Sequence, residues 1–279
     1  MPEDVTPTAS SLAEAMPLLI AGMLTLDRFA DETPVRESPG GAVLFAARTA
    51  EAFGIRPLVL TKVNREPLLF EHTHVDGERR LRLEHPPRSP IGAIDVPNGW
   101  PEPRTILLCP LIAGDLDVAS FLDRWPGTRV GLLAQGMQRR RLDDGSVRVV
   151  GAPSPALLGA ARPGVTIFLA QDEVARWSEG ALTRLASRCE RVVVTRGADG
   201  ARVINTDGSE ARIEAVAAQP IDTTGAGDVF AAAFILGLRA GLMVAGRLAA
   251  AAAACEVETL GPAPLPPLAQ IAARAGVAL

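Results

Sequence analysis

Asp222-Thr223-Thr224-Gly225-Ala226-Gly227-Asp228 opens the apolar run 229–238, and this junction decides how the rest of the chain is read. Its two glycines flank one alanine, so backbone N–H groups can approach an anion with no side chain in the way. The run behind them reads as a buried helix, whose positive end then carries those amides, where phosphate binds well. Asp228 projects from the first turn, beside the anion. A carboxylate there takes a proton from an attacking hydroxyl, while the amides of Gly225, Ala226 and Gly227 hold the charge developing on a phosphoryl group. The plainer alternative is a capped helix start, with Thr224 as cap and Asp228 complementing the helix dipole.

A chain of 279 residues, 48% hydrophobic and 22% charged, suits one large α/β domain with ample core. A net charge of −4 and no visible base-stacking platform speak against nucleic acid as a partner. Cys109, Cys189 and Cys255 are far apart, odd in number and without metal-ligand spacing, so a reduced, cytoplasmic compartment is expected. No Lys or Arg precedes Arg28, and Glu3 and Asp4 stand near the start, which is wrong for a secretory signal. The Ala-rich region 242–255 is interrupted by Arg247 and is too short to span a bilayer, so no membrane partner is expected. Lys62 is the one lysine among 28 basic residues, and no G-x-x-x-x-G precedes it. That excludes a P-loop and leaves backbone amides and arginine to bind phosphate.

Residues 1–15 are polar and small and read as a loose leader, with 16–279 as one domain. Strands are expected at 18–21, 57–63, Thr105–Cys109, Arg129–Leu133, Val165–Ala170 and Arg191–Thr195, followed by a short pair at 201–205 and 211–216. Helices are expected at 40–53, 115–123 and 182–189, with three more to the end. Residues 68–84 alternate about a Val75-Asp76-Gly77 turn, as a solvent-facing hairpin would, and read as a small β lid. Strands alternating with helices imply a Rossmann-like α/β fold, a mostly parallel sheet with helices on both faces.

The heptad resembles the D-T-x-G-A-G-D signature of the ribokinase-like (PfkB) carbohydrate kinases, which phosphorylate sugar, polyol or nucleoside hydroxyls from ATP. The resemblance runs from about Leu18 to the last helix. It implies a ribokinase-like fold, ATP and Mg²⁺ as cofactors, and a small polyhydroxy acceptor, in a monomer or homodimer. Asp228 corresponds to the general base, and Gly225, Ala226 and Gly227 to the anion hole. Thr195, Gly197 and Gly200 fall in a T-x-G-x-x-G segment that lies along the nucleotide, with Thr224 assigned to the same donor site. By itself that segment also reads as a β-turn needing positive φ. Asp27 and the pair Gly40-Gly41 correspond to contacts with acceptor hydroxyls. Arg139, in Gln135-Gly136-Met137-Gln138-Arg139, corresponds to an arginine that touches the transferred phosphoryl group or a substrate oxygen. Beside Arg140 and Arg141 it reads equally as part of a solvated charge run.

Two positions depart from the family pattern. Phe45 stands where a substrate-binding asparagine belongs, either as an apolar face toward the acceptor or as core filler. The metal-supporting N-x-x-E becomes Gln171-Asp172-Glu173-Val174, so Asp172 or Glu173 serves for Mg²⁺, or both are acids favoured at a helix start. These departures leave a second reading open, a nucleotide- or sugar-binding relative without turnover. A dehydrogenase is disfavoured, because no G-x-G-x-x-G follows the first strand. His72 and His74 share a strand face, which invites a metal site without a third ligand; exposed hairpin residues are the simpler expectation.

Overall fold

The computed structural model describes residues 17–62, 67–75 and 78–278. The leader assigned to residues 1–15, Val63 and the tip residues Asp76 and Gly77 lie outside them. Short apolar runs bounded by glycine, proline or charge become strands, because alternate side chains can then be buried on both faces of a sheet. In chain order these are β1 (Leu18–Gly22), β2 (Thr25–Phe29), β3 (Arg36–Gly40), β4 (Leu58–Leu60) and β5 (Leu68–Val75). Then come β6 (Glu78–Leu83), β7 (Thr105–Cys109), β8 (Arg129–Leu133), β9 (Arg139–Arg141) and β10 (Val147–Val149). Last are β11 (Val165–Ala170), β12 (Arg191–Thr195), β13 (Ala201–Asn205) and β14 (Glu210–Ile213).

Eight strands form the main sheet in the order β14-β13-β12-β11-β8-β7-β1-β4. Pairing is parallel from β4 to β12 and antiparallel at β13 and β14. From β1 the chain steps outward to β4, and from β7 it steps the other way to β8, β11 and β12. Right-handed crossovers running in opposite directions put their helices on opposite faces of the sheet. The strand order therefore reverses between β1 and β7, and a crevice opens there at the carboxyl ends. The Ala226–Gly237 helix fills one face, buried at every residue from Val229 on, as expected for a helix apolar all round. It packs against the Ala42–Ala52 and Leu242–Val257 helices.

The hairpin expected over 68–84 forms as part of a larger sheet. Residues 68–84 do form the antiparallel pair β5–β6, but β5 also pairs in parallel with β2, which pairs with β3. The result is a four-stranded sheet, β3-β2-β5-β6. Its inner face carries Leu68, Phe70, His72 and Leu83, all buried. Alternation alone does not reveal which side meets water, and the hairpin is less exposed than its pattern suggests. Gly40 ends β3 and does not begin a helix; the helix starts at Ala42 with Gly41 as its N-cap.

Candidate active site

The heptad sits at the reversal point of the sheet. Asp222 Oδ1 accepts from the Thr224 amide at 2.9 Å, turning the chain into Gly225, which has φ 81° and is the helix N-cap. No side chain caps this helix, so the alternative with Thr224 as cap is not what forms. A Cβ on Gly225 would lie 2.3 Å from Cε1 of Phe45, so the position needs glycine for space as well as for φ. Gly41 is the matching case across the cleft, with φ 99° and room for a Cβ only 2.5 Å from the Met23 carbonyl oxygen.

Two cavities meet at this helix start. One, of about 570 Å³, is lined by Thr195, Gly197, Gly200, Thr223, Ala226 and Gly227, with an apolar back wall that includes Val216, Phe230, Ala250 and Ala253. The other, of about 110 Å³, lies under the lid. It collects Asp27, Gly41, Phe45, His72, Arg139 and Asp228, with Thr224 and Gly225 at its floor. A short passage between them is lined by Gln135, Glu173, Thr195, Gly227 and Asp228. Asp228 faces both the small cavity and the passage, whereas Gly227 and Thr195 face the passage and the large cavity.

The charges in the passage are coupled. Surrounding protein withholds water from Asp228 and pushes its carboxyl up from the ordinary range to about 7. The positive charge of Arg139 pulls against this, while Glu173, Asp27 and Glu256 push the same way. Gln135 Nε2 donates to Asp228 Oδ1 at 3.3 Å. Glu173 is buried, and burial raises its carboxyl too, again with Arg139 opposing. Its Oε2 accepts from the Ala170 amide at 2.8 Å, which holds it against the end of β11. Asp172 is exposed and turned to its own backbone, with Oδ1 accepting from the Glu173 amide at 3.1 Å. Of the two acids proposed for metal, Glu173 alone lines the passage.

The three arginines at 139–141 do three different things. Arg139 faces the small cavity, Arg140 is exposed, and Arg141 Nε donates to the Leu83 carbonyl, tying β9 to β6. Asp27, on the inner face of β2, accepts from Thr25 Oγ1 at 3.2 Å, and His72 Nε2 lies 3.6 Å from its Oδ1. Gly40 stands opposite Thr25 in the lid, where a Cβ would meet Asp27 Oδ2 at 2.3 Å. His72 and His74 part company by environment. His72 is buried against the small cavity, stacked on Phe29 at 4.9 Å, while His74 is exposed and bonded to Asp31. Sequence reasoning left out His72 and Gln135 as site residues. Gln135 had a signal, its place in the same motif as Arg139; His72 had none, because its burial depends on β5 pairing with β2, which brings Phe29 and Asp27 against it.

Residues 162–268 match the model of the pfkB family carbohydrate kinases. The match covers the C-terminal part of the chain, somewhat more than a third of its length. The matched span holds Glu173, the Thr195–Gly200 turn and the heptad, and leaves out the lid and Arg139. Among curated protein sequences, none matches the chain. Solved structures of the same fold extend the likeness over nearly the whole length. A pyrophosphate-dependent kinase in the ribokinase family, complexed with a pyrophosphate analog and myo-inositol, superposes with a TM-score of 0.71 at 15% identity, over 88% of this chain and 96% of that one. Arabidopsis thaliana ribokinase, complexed with ribose and ATP, gives 0.66 at 16% identity, over 95% and 100%. Burkholderia thailandensis nucleoside kinase, in complex with inosine, gives 0.62 at 20% identity, over 92% and 96%. The ribokinase-like fold expected from the heptad is the fold of this chain.

Proposed function

We propose that the protein transfers the γ-phosphoryl group of ATP to a hydroxyl of a small polyhydroxy compound, with Asp228 as general base. The observation that carries this reading is the meeting of the two cavities at one helix start, with Asp228 on the acceptor side and Gly227 on the donor side. A hydroxyl entering from the lid side and a phosphoryl group entering from the other are held in line across the passage. The first-turn amides then receive the charge that develops on the phosphoryl oxygens. A carboxylate whose affinity for protons is raised to about 7 is well matched to removing the hydroxyl proton at neutral pH.

The donor cavity supports ATP over pyrophosphate. Pyrophosphate has no apolar part, whereas the wall formed by Val216, Phe230, Ala250 and Ala253 offers a face for a base and its sugar. Pyrophosphate remains the second reading, since a kinase of the same fold uses it. Two carboxylates, Glu173 and Asp228, line the passage, and the Glu173 charge helps push the Asp228 carboxyl up, so a cation such as Mg²⁺ would be favoured there. Glu173 would hold the ion, which when bound would supply charge neutralisation to the donor phosphates.

The acceptor cavity pairs a polar edge with an apolar face. Thr25, Asp27, His72 and Arg139 supply the first, and Phe45, Phe70, Leu81 and Leu111 the second. A cyclitol or nucleoside, with a ring face to stack and hydroxyls to bond, suits it better than ribose. The test is ADP release across pentoses, hexoses, cyclitols and nucleosides, comparing Asp228→Asn with the parent. Asp228→Asn should stay folded and bind ATP, yet lose about 10²–10⁴-fold in kcat. ADP release unaffected by the substitution would remove the kinase reading; tight ATP binding with no turnover by the parent would select a binding protein instead.

A further inference from the structure

The side chain of Arg36 joins the four-stranded sheet to the loop at 222–228. Arg36, on β3, places its guanidinium carbon 3.7 Å from the Phe29 ring centroid, and Phe29 in turn stacks on His72 in the acceptor cavity. Its Nε and Nη2 grip Glu32 at 2.9 and 3.0 Å. The remaining nitrogen, Nη1, reaches Asp222 Oδ2 at 3.5 Å, 186 residues away in sequence. That same oxygen accepts from the Gly261 amide at 3.3 Å, while Oδ1 accepts from Thr224. Asp222 is thus the hub from which the turn into Gly225 is built. Burial pushes its carboxyl up, but the Thr224 and Gly261 bonds and the Arg36 charge outweigh this and leave it below the usual range.

We propose that Arg36 is a positioning residue that latches the lid sheet to the anion-binding loop, so that closing over an acceptor sets the amides that receive the phosphoryl group. A planar guanidinium can face a carboxylate on one side and a second on another while its π-face covers a ring; an ammonium cannot. Acceptor and donor occupancy then reinforce each other through the chain His72, Phe29, Arg36, Asp222, Thr224. For its effect on turnover the inference rests on the kinase reading; for the ordering of the loop it does not.

Amide hydrogen exchange on the full chain tests it without any ligand. Arg36→Met should speed exchange in a peptide covering residues 221–227 by about fivefold or more, as expected when a coupling contact of this class is lost. Arg28→Met is the control, because Arg28 pairs with Glu37 across the same lid strands but faces away from the loop. It should leave residues 221–227 unchanged. Arg36→Lys, which keeps the charge and the stem over Phe29, should fall between parent and Arg36→Met, and it decides the matter if Arg36→Met does not fold. In turnover, Arg36→Met should lower kcat by about tenfold with little change in the KM for ATP, a split a loosened fold would not give. Unchanged exchange at 221–227 in Arg36→Met, or equal acceleration in Arg28→Met, overturns the latch. If the parent shows no phosphoryl transfer to any acceptor, the kinase reading falls while the exchange comparison still decides the latch.

Discussion

Gln135 Nε2 donates to Asp228 Oδ1 at 3.3 Å, across the passage that joins the donor and acceptor cavities. A donor on the ionised carboxylate favours its charged form, against the loss of water that pushes Asp228 to about 7. Asp228 acts as base only when ionised, so kcat/KM should fall as pH drops through about 7. Gln135→Leu should move that midpoint upward, since it removes a bond to the charged form alone. The check is kcat/KM against pH for both proteins; a profile flat from about pH 5.5 to 8.5 sinks the assignment of Asp228 as the titrating base.

Arg48 and Glu256 form an ion pair behind the acceptor wall, with both guanidinium nitrogens 3.4 Å from the Glu256 oxygens. Glu256 is buried, and burial raises its carboxyl while Arg48 lowers it. Arg48→Met should cost about 3–5 kcal/mol at pH 8, because it strands a buried charge. A carboxyl raised in the folded state destabilises only when ionised, so the penalty should shrink as pH falls toward 5 and the stranded Glu256 takes up a proton. Urea unfolding at the two pH values reads this. A penalty equal at both would mean Glu256 is neutral or solvated throughout.

Gly225→Ala should lose on two counts. The residue keeps φ 81°, which costs about 1–3 kcal/mol for a side-chain-bearing residue, and its Cβ would strike the Phe45 ring. Phe45→Ala in the same chain should relieve the clash and leave the φ strain, so the double variant should be more stable than additivity predicts. Thermal or urea unfolding of the four proteins measures it, and strict additivity would mean the ring and the loop are not in contact.

The apolar donor wall gives a test between the two phosphoryl donors. Ala253→Phe narrows the 570 Å³ cavity where a base would lie. The KM for ATP should then rise about tenfold or more, the scale of losing good apolar burial for a ring. Pyrophosphate-driven turnover, if the protein has any, should not change. Equal loss with both donors would mean the substitution disturbs the passage itself.

Phe45→Asn should shift acceptor preference toward ribose by about 1–3 kcal/mol in the ratio of kcat/KM values, the scale of supplying or withholding one buried hydrogen bond. Ribose ranking unmoved against a cyclitol and a nucleoside would mean Phe45 is packing alone.

Local pattern sufficed for much of this protein. Thr105–Cys109, Arg129–Leu133, Val165–Ala170, Arg191–Thr195 and Ala201–Asn205 form strands at their expected bounds, because each is a short apolar or β-branched run with a clear break at both ends. The anion-binding helix start is equally local, since two glycines and an apolar run decide it within a few residues. Strands Thr25–Phe29 and Arg36–Gly40 carry no local signal, because TLDRF and RESPG are short and charged and the second is interrupted by Pro39; Thr25–Phe29 becomes a strand by pairing with Leu68–Val75, and Arg36–Gly40 by pairing with Thr25–Phe29. The same long-range packing turns Glu173 toward the passage and Asp172 toward water, and it buries His72 while exposing His74. It also splits three adjacent arginines between cleft, solvent and lid. Residue type and spacing therefore carry the proposed phosphate chemistry, which needs only backbone amides at a helix end and one carboxylate beside them. The small cavity is assembled from Asp27, Phe45, His72, Arg139 and Asp228, residues brought together by sheet register and crossover direction, and no local period encodes those.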